Sequence, residues 1–183
     1  MTKPHKNTPQ LICIAGGPGS GKSYFYESLK SRGEIPTDAV IHDPDLIMEA
    51  MPEYQKDAKH DPAKAFERWE LPARQRANEI LIEALNARYT IVYIRSFALP
   101  DSLEFIQHAK QLGYEITMNI LFCDLHTAIR RVKNRERYLS IETLVQRHEA
   151  VEVILPELMR IADKYYFYEN NIDNSEPVLI EFH

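Results

Sequence analysis

The sequence predicts an α/β fold, a parallel sheet with helices on both faces, and three observations carry that expectation. Short runs rich in apolar, β-branched or aromatic residues, at 11–15, 38–43, 89–94 and 116–123, alternate with longer stretches whose apolar residues recur every three or four positions. Strands joined by helical crossovers lie parallel. The first run passes through a glycine-rich turn straight into a helical pattern, which is the strand, loop, helix order of a nucleotide-binding unit.

Leu11-Ile12-Cys13-Ile14-Ala15 reads as the first strand. Gly16-Gly17-Pro18-Gly19-Ser20-Gly21-Lys22-Ser23 follows and fits G-x-x-x-x-G-K-[ST], the Walker A phosphate-binding loop, or P-loop. Glycines let backbone N–H groups curl round a phosphate, and the helix behind the loop adds the partial positive charge of its N-terminus. Residues 16–23 are therefore assigned to ATP, with Lys22 reaching the β- and γ-phosphates and the Ser23 hydroxyl ligating Mg2+. The helix runs on through Leu29 and Lys30 and is closed by Gly33.

The second strand, 38–43, runs into Pro44 and Asp45. Pro44 biases Asp43 towards extended backbone, so Asp43 and Asp45 project to the same side. Residues 51–61 read as polar and irregular. From Asp61, the spacing of Phe66, Trp69, Ala73, Ala77, Ile80, Leu81, Ala84 and Leu85 predicts a long helix, kinked or divided at Pro72, whose stripe packs into the core. The third strand ends at Arg95 and Ser96. Asp101 and Glu104 have capping-box spacing for a helix that Gly113 closes.

After the fourth strand Asp124 caps a helix from Leu125 to about Arg137, whose end carries Arg130, Arg131, Lys133, Arg135 and Arg137. Leu144, His148, Val151, Leu155 and Leu158 mark a further helical pair with a break or kink near Pro156. Residues 165–168 and 178–180 are short strand candidates. Ligands bind at the carboxyl ends of parallel strands, so Gly16, Asp43, Asp45, Arg95, Ser96 and Asp124 are expected around one crevice.

Residues 1–9 read as a flexible tail and 10–183 as a single domain. With 44% hydrophobic and 27% charged residues the composition is that of an ordinary globular protein. No apolar run is long enough for a membrane span and none near the start has the form of a signal peptide, so the expected location is cytoplasmic. The net charge of −5 argues against non-specific binding to nucleic acid. Cys13 and Cys123 sit in strand-like runs with no metal-ligand spacing and read as buried thiols.

A P-loop binds nucleotide without fixing the reaction. With the second strand near the first, Asp45 faces the γ-phosphate from the acceptor side and takes the proton of a substrate hydroxyl. Asp43 is assigned to the substrate or, through water, to Mg2+, and Arg95 and Ser96 to the substrate. Arginines from the basic helix and Arg147 form a lid over the charge that develops on the transferred group, with Arg131 placed on the nucleotide.

These residues, together with His42-Asp43-Pro44-Asp45, Met51-Pro52-Glu53-Tyr54, the segment 109–114, the segment 128–135, Gln146-Arg147-His148 and the stretch 161–171, resemble the zeta-toxin-like P-loop kinases. The resemblance implies a P-loop NTPase-type fold with an Arg-bearing helical lid. It also implies transfer of the γ-phosphate of ATP to a sugar hydroxyl, with UDP-N-acetylglucosamine the acceptor in the toxin branch. Asp45 matches the family's catalytic base, Lys22 and Ser23 its phosphate and Mg2+ groups, and Arg135 and Arg147 its lid arginines. Tyr93-Ile94-Arg95-Ser96-Phe97 departs from that branch, which has an acidic residue followed by small and hydroxyl residues where the acceptor is held. The Gly-Gly-His between the lid arginines is replaced by Arg137-Tyr138-Leu139-Ser140. A different acceptor is therefore open, and neither toxicity nor an antitoxin partner follows.

Two other functions fit the same residues. A 5′-hydroxyl polynucleotide kinase also combines a P-loop, an aspartate and arginines, although the net charge counts against it. A non-catalytic ATP-binding regulatory module that signals through lid closure would explain the altered stretch at 93–97.

Overall fold

A computed structural model describes residues 8–133 and 139–183. Its strands are β1 (Gln10–Ala15), β2 (Val40–His42), β3 (Ile91–Arg95), β4 (Glu115–Phe122), β5 (Lys164–Glu169) and β6 (Val178–Phe182), joined in one sheet in the order β2-β3-β1-β4-β5-β6. The first five run parallel, and β6 departs from the expected all-parallel sheet by pairing antiparallel with β5. The β5 to β6 connection spans only residues 170–177, too short for the helical crossover a parallel return needs. Strand β3 lies between β1 and β2, so the second strand is not the neighbour of the first.

The period of β1 shows how the core is divided. Leu11, Cys13 and Ala15 face a cluster with Leu81, Leu85, Ile106, Ala109 and Leu158 from the helices α4 (Pro62–Ala87), α5 (Pro100–Gln111) and α7 (Ile141–Ile161). Ile12 and Ile14 point to the other face, against Phe25, Tyr26 and Leu29 of α1 (Lys22–Ser31). Each fully buried Leu, Ile or Phe among these contributes about 1.5–3 kcal/mol, and together they fix the sheet that carries the loops. A third cluster of Cys123, Ala128, Val132 and Leu144 packs α6 (Leu125–Lys133) onto α7 beside the P-loop.

Three local expectations change. The polar segment after α2 (Pro44–Ala50) contains a helix, α3 (Pro52–Ala58), that buries no residue and is tied down by Trp69 Nε1 and Arg68 donating to the Asp57 carboxylate at 3.0 and 2.9 Å. Of the kink or division expected at Pro72 and Pro156 the division does not occur, since α4 and α7 each run through their proline as one helix. The carbonyls that Pro72 and Pro156 leave without a helical donor belong to Arg68 and Glu152, both exposed to water, and the buried apolar face holds each helix together. In α5 the N-cap is Leu99 with Pro100 at the first helical position, so Asp101 lies inside the first turn and the capping box does not form. Asp124 does cap α6, accepting the Thr127 N–H at 2.7 Å.

Candidate active site

The P-loop is braced from outside through its carbonyls. Pro18 O accepts from His148 Nε2 at 2.8 Å, which puts the ring proton on that nitrogen because a carbonyl has none to give. Gly19 O accepts from Arg131 at 3.2 Å, and Ser20 O accepts from Asn170 Nδ2 at 2.8 Å. Lys22 Nζ donates to Gly16 O and Gly17 O at 2.8 and 3.0 Å, curling over the loop. With its oxygens turned away, the loop presents Gly19, Gly21, Lys22 and Ser23 to a cleft of about 200 Å3. Gly21 initiates α1 at φ 93°, and a Cβ there would run into the Asn170 amide, so the brace requires glycine at this point.

The other wall of the cleft comes from the end of β2 and β3. Asp43, Asp45, Arg95 and Ser96 all line it, as expected, although β3 and not β2 is the strand beside the P-loop. Asp43 is the N-cap of α2, its Oδ1 accepting the Asp45 N–H at 3.0 Å, and Asp45 stands in the first turn. Burial and the neighbouring Asp45 charge push the Asp43 carboxyl up to about 6, with Lys22 the cation that works against the rise. His42 is stacked on Tyr93 with centroids 4.7 Å apart and is 1% exposed. Burial, followed by the charge of Arg95, pushes it down to about 4, and the Asn78 amide opposes this from outside strict hydrogen-bond geometry.

The predicted lid arginines separate. Arg147 of α7 lines the cleft. Arg131 does not; it holds Asn170 O at 2.9 Å and Asp173 at 2.7 Å besides Gly19 O, beneath the loop, and Arg130 pairs with the same aspartate. Arg135 and Arg137 lie outside the described residues. Asp124 is occupied as a helix cap and is absent from the cleft lining. Sequence reasoning missed Arg74 of α4, which lines the cleft, and the bracing pair His148 and Asn170. The signal available for His148 is its place in the apolar pattern Leu144, His148, Val151, at spacings of four and three, which puts it on the inward face of α7.

Strand order, P-loop and the cleft at the strand ends define the P-loop kinase fold. The chain belongs to the Zeta toxin family, whose model matches residues 1–172. No curated protein is similar enough in sequence to count as a match. Among solved structures, the chain is similar to one from the PezAT chromosomal toxin–antitoxin system of Streptococcus pneumoniae (TM-score 0.71, 18% identity, 98% of this chain and 73% of that one). It is similar to AvrRxo1-ORF1:-ORF2 with ATP (TM-score 0.70, 14% identity, 97% of this chain) and spans 59% of that chain's length. It also resembles shikimate kinase from Acinetobacter baumannii in complex with shikimate (TM-score 0.51, 17% identity, 90% and 86% covered). No helix among the described residues is long and apolar enough to cross a membrane.

Proposed function

We propose that the protein is an ATP-dependent kinase that transfers the γ-phosphate to a hydroxyl of a small molecule, with a nucleotide sugar such as UDP-N-acetylglucosamine the first acceptor to test. The observation that carries this is one cleft with the P-loop on one wall and Asp43 and Asp45 on the other. A simple nucleotide-binding module has no need of the second wall.

In this reading the loop N–H groups and Lys22 hold the β- and γ-phosphates, Lys22 exchanging its contacts with Gly16 O and Gly17 O for phosphate oxygens. Among the described residues no group of three or more His, Cys, Asp and Glu side chains could hold a metal on its own. That fits Mg2+, which is held by few protein ligands plus substrate phosphates; here Ser23 serves, with Asp43 reaching through water. The ion would neutralise charge on the phosphates. Asp45 accepts the proton of the acceptor hydroxyl as its oxygen bonds to the γ-phosphorus and the bond to the β-phosphate oxygen breaks. Arg147, and Arg135 by the family resemblance, stabilise the charge on the transferring oxygens.

The test is transfer from γ-labelled ATP with Mg2+ to nucleotide sugars, simple sugars and an oligonucleotide. Label on a small molecule supports the reading. Label on the oligonucleotide, with salt-sensitive affinity, would replace it by polynucleotide kinase activity, and ATP binding with no labelled acceptor would favour a regulatory module. A protein partner of the kind named for the pneumococcal neighbour is a proposal for co-purification.

A further inference from the structure

Beyond Arg95, strand β3 runs through Ser96 into Phe97, whose backbone has φ 60°. This is the left-handed region, where the Cβ of a bulky residue crowds the carbonyl that follows it. Among the described residues other than glycine, Arg88 and Asn174 share it; Arg88 closes α4, and Asn174, a residue type at home there, sits in the loop before β6. Phe97 has neither excuse, and it is 0% exposed. Its ring lies in the core cluster that holds α4 and α5 and meets Tyr93 edge-on, with centroids 5.6 Å apart and planes at 77°.

Tyr93 is itself held by stacking. Its register partner His42 stacks on it at 4.7 Å, and Phe105 of α5 does so at 4.4 Å. The buried nitrogens of His42 meet no partner of strict hydrogen-bond geometry among the described residues, so ring contact is what seats it there. One aromatic group thus receives Phe97 and also underlies the Asp43 corner. Ser96, Ala98 and Leu99, the residues on either side of Phe97, line the cleft. Glycine would make this turn without strain, as Gly19 and Gly21 do in the P-loop, but glycine could not tie the turn to the core. A strained backbone persists where the surroundings over-determine it, and such residues gather where position matters.

We propose that Phe97 is a positioning residue for phosphotransfer: its ring, seated against Tyr93, holds the turn 96–99 in the shape that receives the acceptor. It touches no substrate and acts through Ser96, Ala98 and Leu99. This rests on the kinase reading and adds how the wall opposite the P-loop is kept in shape.

The experiment compares wild type with F97L, F97A and F97G by thermal melting, by ATP titration, and by transfer from γ-labelled ATP with Mg2+ to the nucleotide sugars, simple sugars and oligonucleotide named above. F97G should melt above F97A, the reverse of the usual order, because glycine accepts left-handed backbone. ATP affinity should stay within about threefold of wild type in all three, while KM for the labelled acceptor rises about tenfold in F97A and F97G with a smaller fall in kcat. F97L, which keeps a large side chain in the core, should lie between these and wild type, and it serves if the smaller variants do not fold. F97A melting above F97G would overturn the left-handed anchor. Unchanged acceptor KM in the folded variants, or ATP affinity and transfer falling together, would reduce Phe97 to core packing and overturn the proposal. Label on no acceptor with the wild type overturns it through the kinase reading beneath it, and is seen before any variant is compared.

Discussion

The Asp43 carboxylate accepts the backbone N–H of Asp45 at 3.0 Å, so the helix cap at this corner is Asp43. Two carboxylates are held two positions apart on the cleft wall, one of them 7% exposed.

That arrangement opposes stability. The folded-state value of Asp43, about 6, lies above the ordinary 3.8, so between these values the folded protein holds more protons than the unfolded chain and stability falls as pH rises. Above pH 6 the cost approaches about 3 kcal/mol, at 1.36 kcal/mol per unit. Asp43→Asn keeps a capping oxygen and removes the charge. Its melting midpoint should exceed that of the wild type at pH 7.5 by several degrees, and the gap should close by pH 4. Equal midpoints at pH 7.5, or a gap unchanged by acidification, would show that the carboxyl is not raised.

The P-loop should depend on residues far away in sequence. Asn170→Ala leaves Ser20 O without its donor, and His148→Ala does the same to Pro18 O. The buried Asn170 amide makes the larger loss, about 1–3 kcal/mol of stability. ATP affinity measured by titration should weaken about five- to tenfold in either variant, on the scale where 1.4 kcal/mol is tenfold. Unchanged affinity in both would show that the loop holds its shape without the braces.

Both cysteines should be inert in the native state. Cys13 is fully buried and burial pushes its thiol far up; Cys123 is also raised, with its Sγ directed at Gly19 O, 3.7 Å away. A thiol-specific reagent should therefore label neither in folded protein and both in denaturant. Rapid native labelling of Cys123 would mean that the contact between the P-loop and α6 opens.

The phosphate side of the cleft was legible because its chemistry is contiguous: Gly16 to Ser23 carry both the loop and its ligands. Asp45, Arg95 and Ser96 were found by the rule that strand ends gather, which holds even though β3 intervenes between β1 and β2. Arg74 was hidden because a cation in the middle of a 26-residue helix, four residues after a glutamate, has the form of a surface pair, and only the packing of α4 decides otherwise. Helix α3 was hidden because it has no apolar face; its Pro52 and the Asp57 to Trp69 bond are what fix it. Asp101 is not the cap because Pro100 takes the first helical position and the helix begins two residues earlier than the Asp101 to Glu104 spacing predicts.

The central claim is that Asp45 takes the acceptor proton, and the most direct measurement compares Asp45→Asn with wild type for both phosphotransfer and ATP binding. Loss of a general base costs about 10²–10⁴ in rate. The account predicts a fall of that size in labelled product with the ATP dissociation constant changed by less than about threefold, which is below 1 kcal/mol. Transfer at the wild-type rate in Asp45→Asn would contradict it.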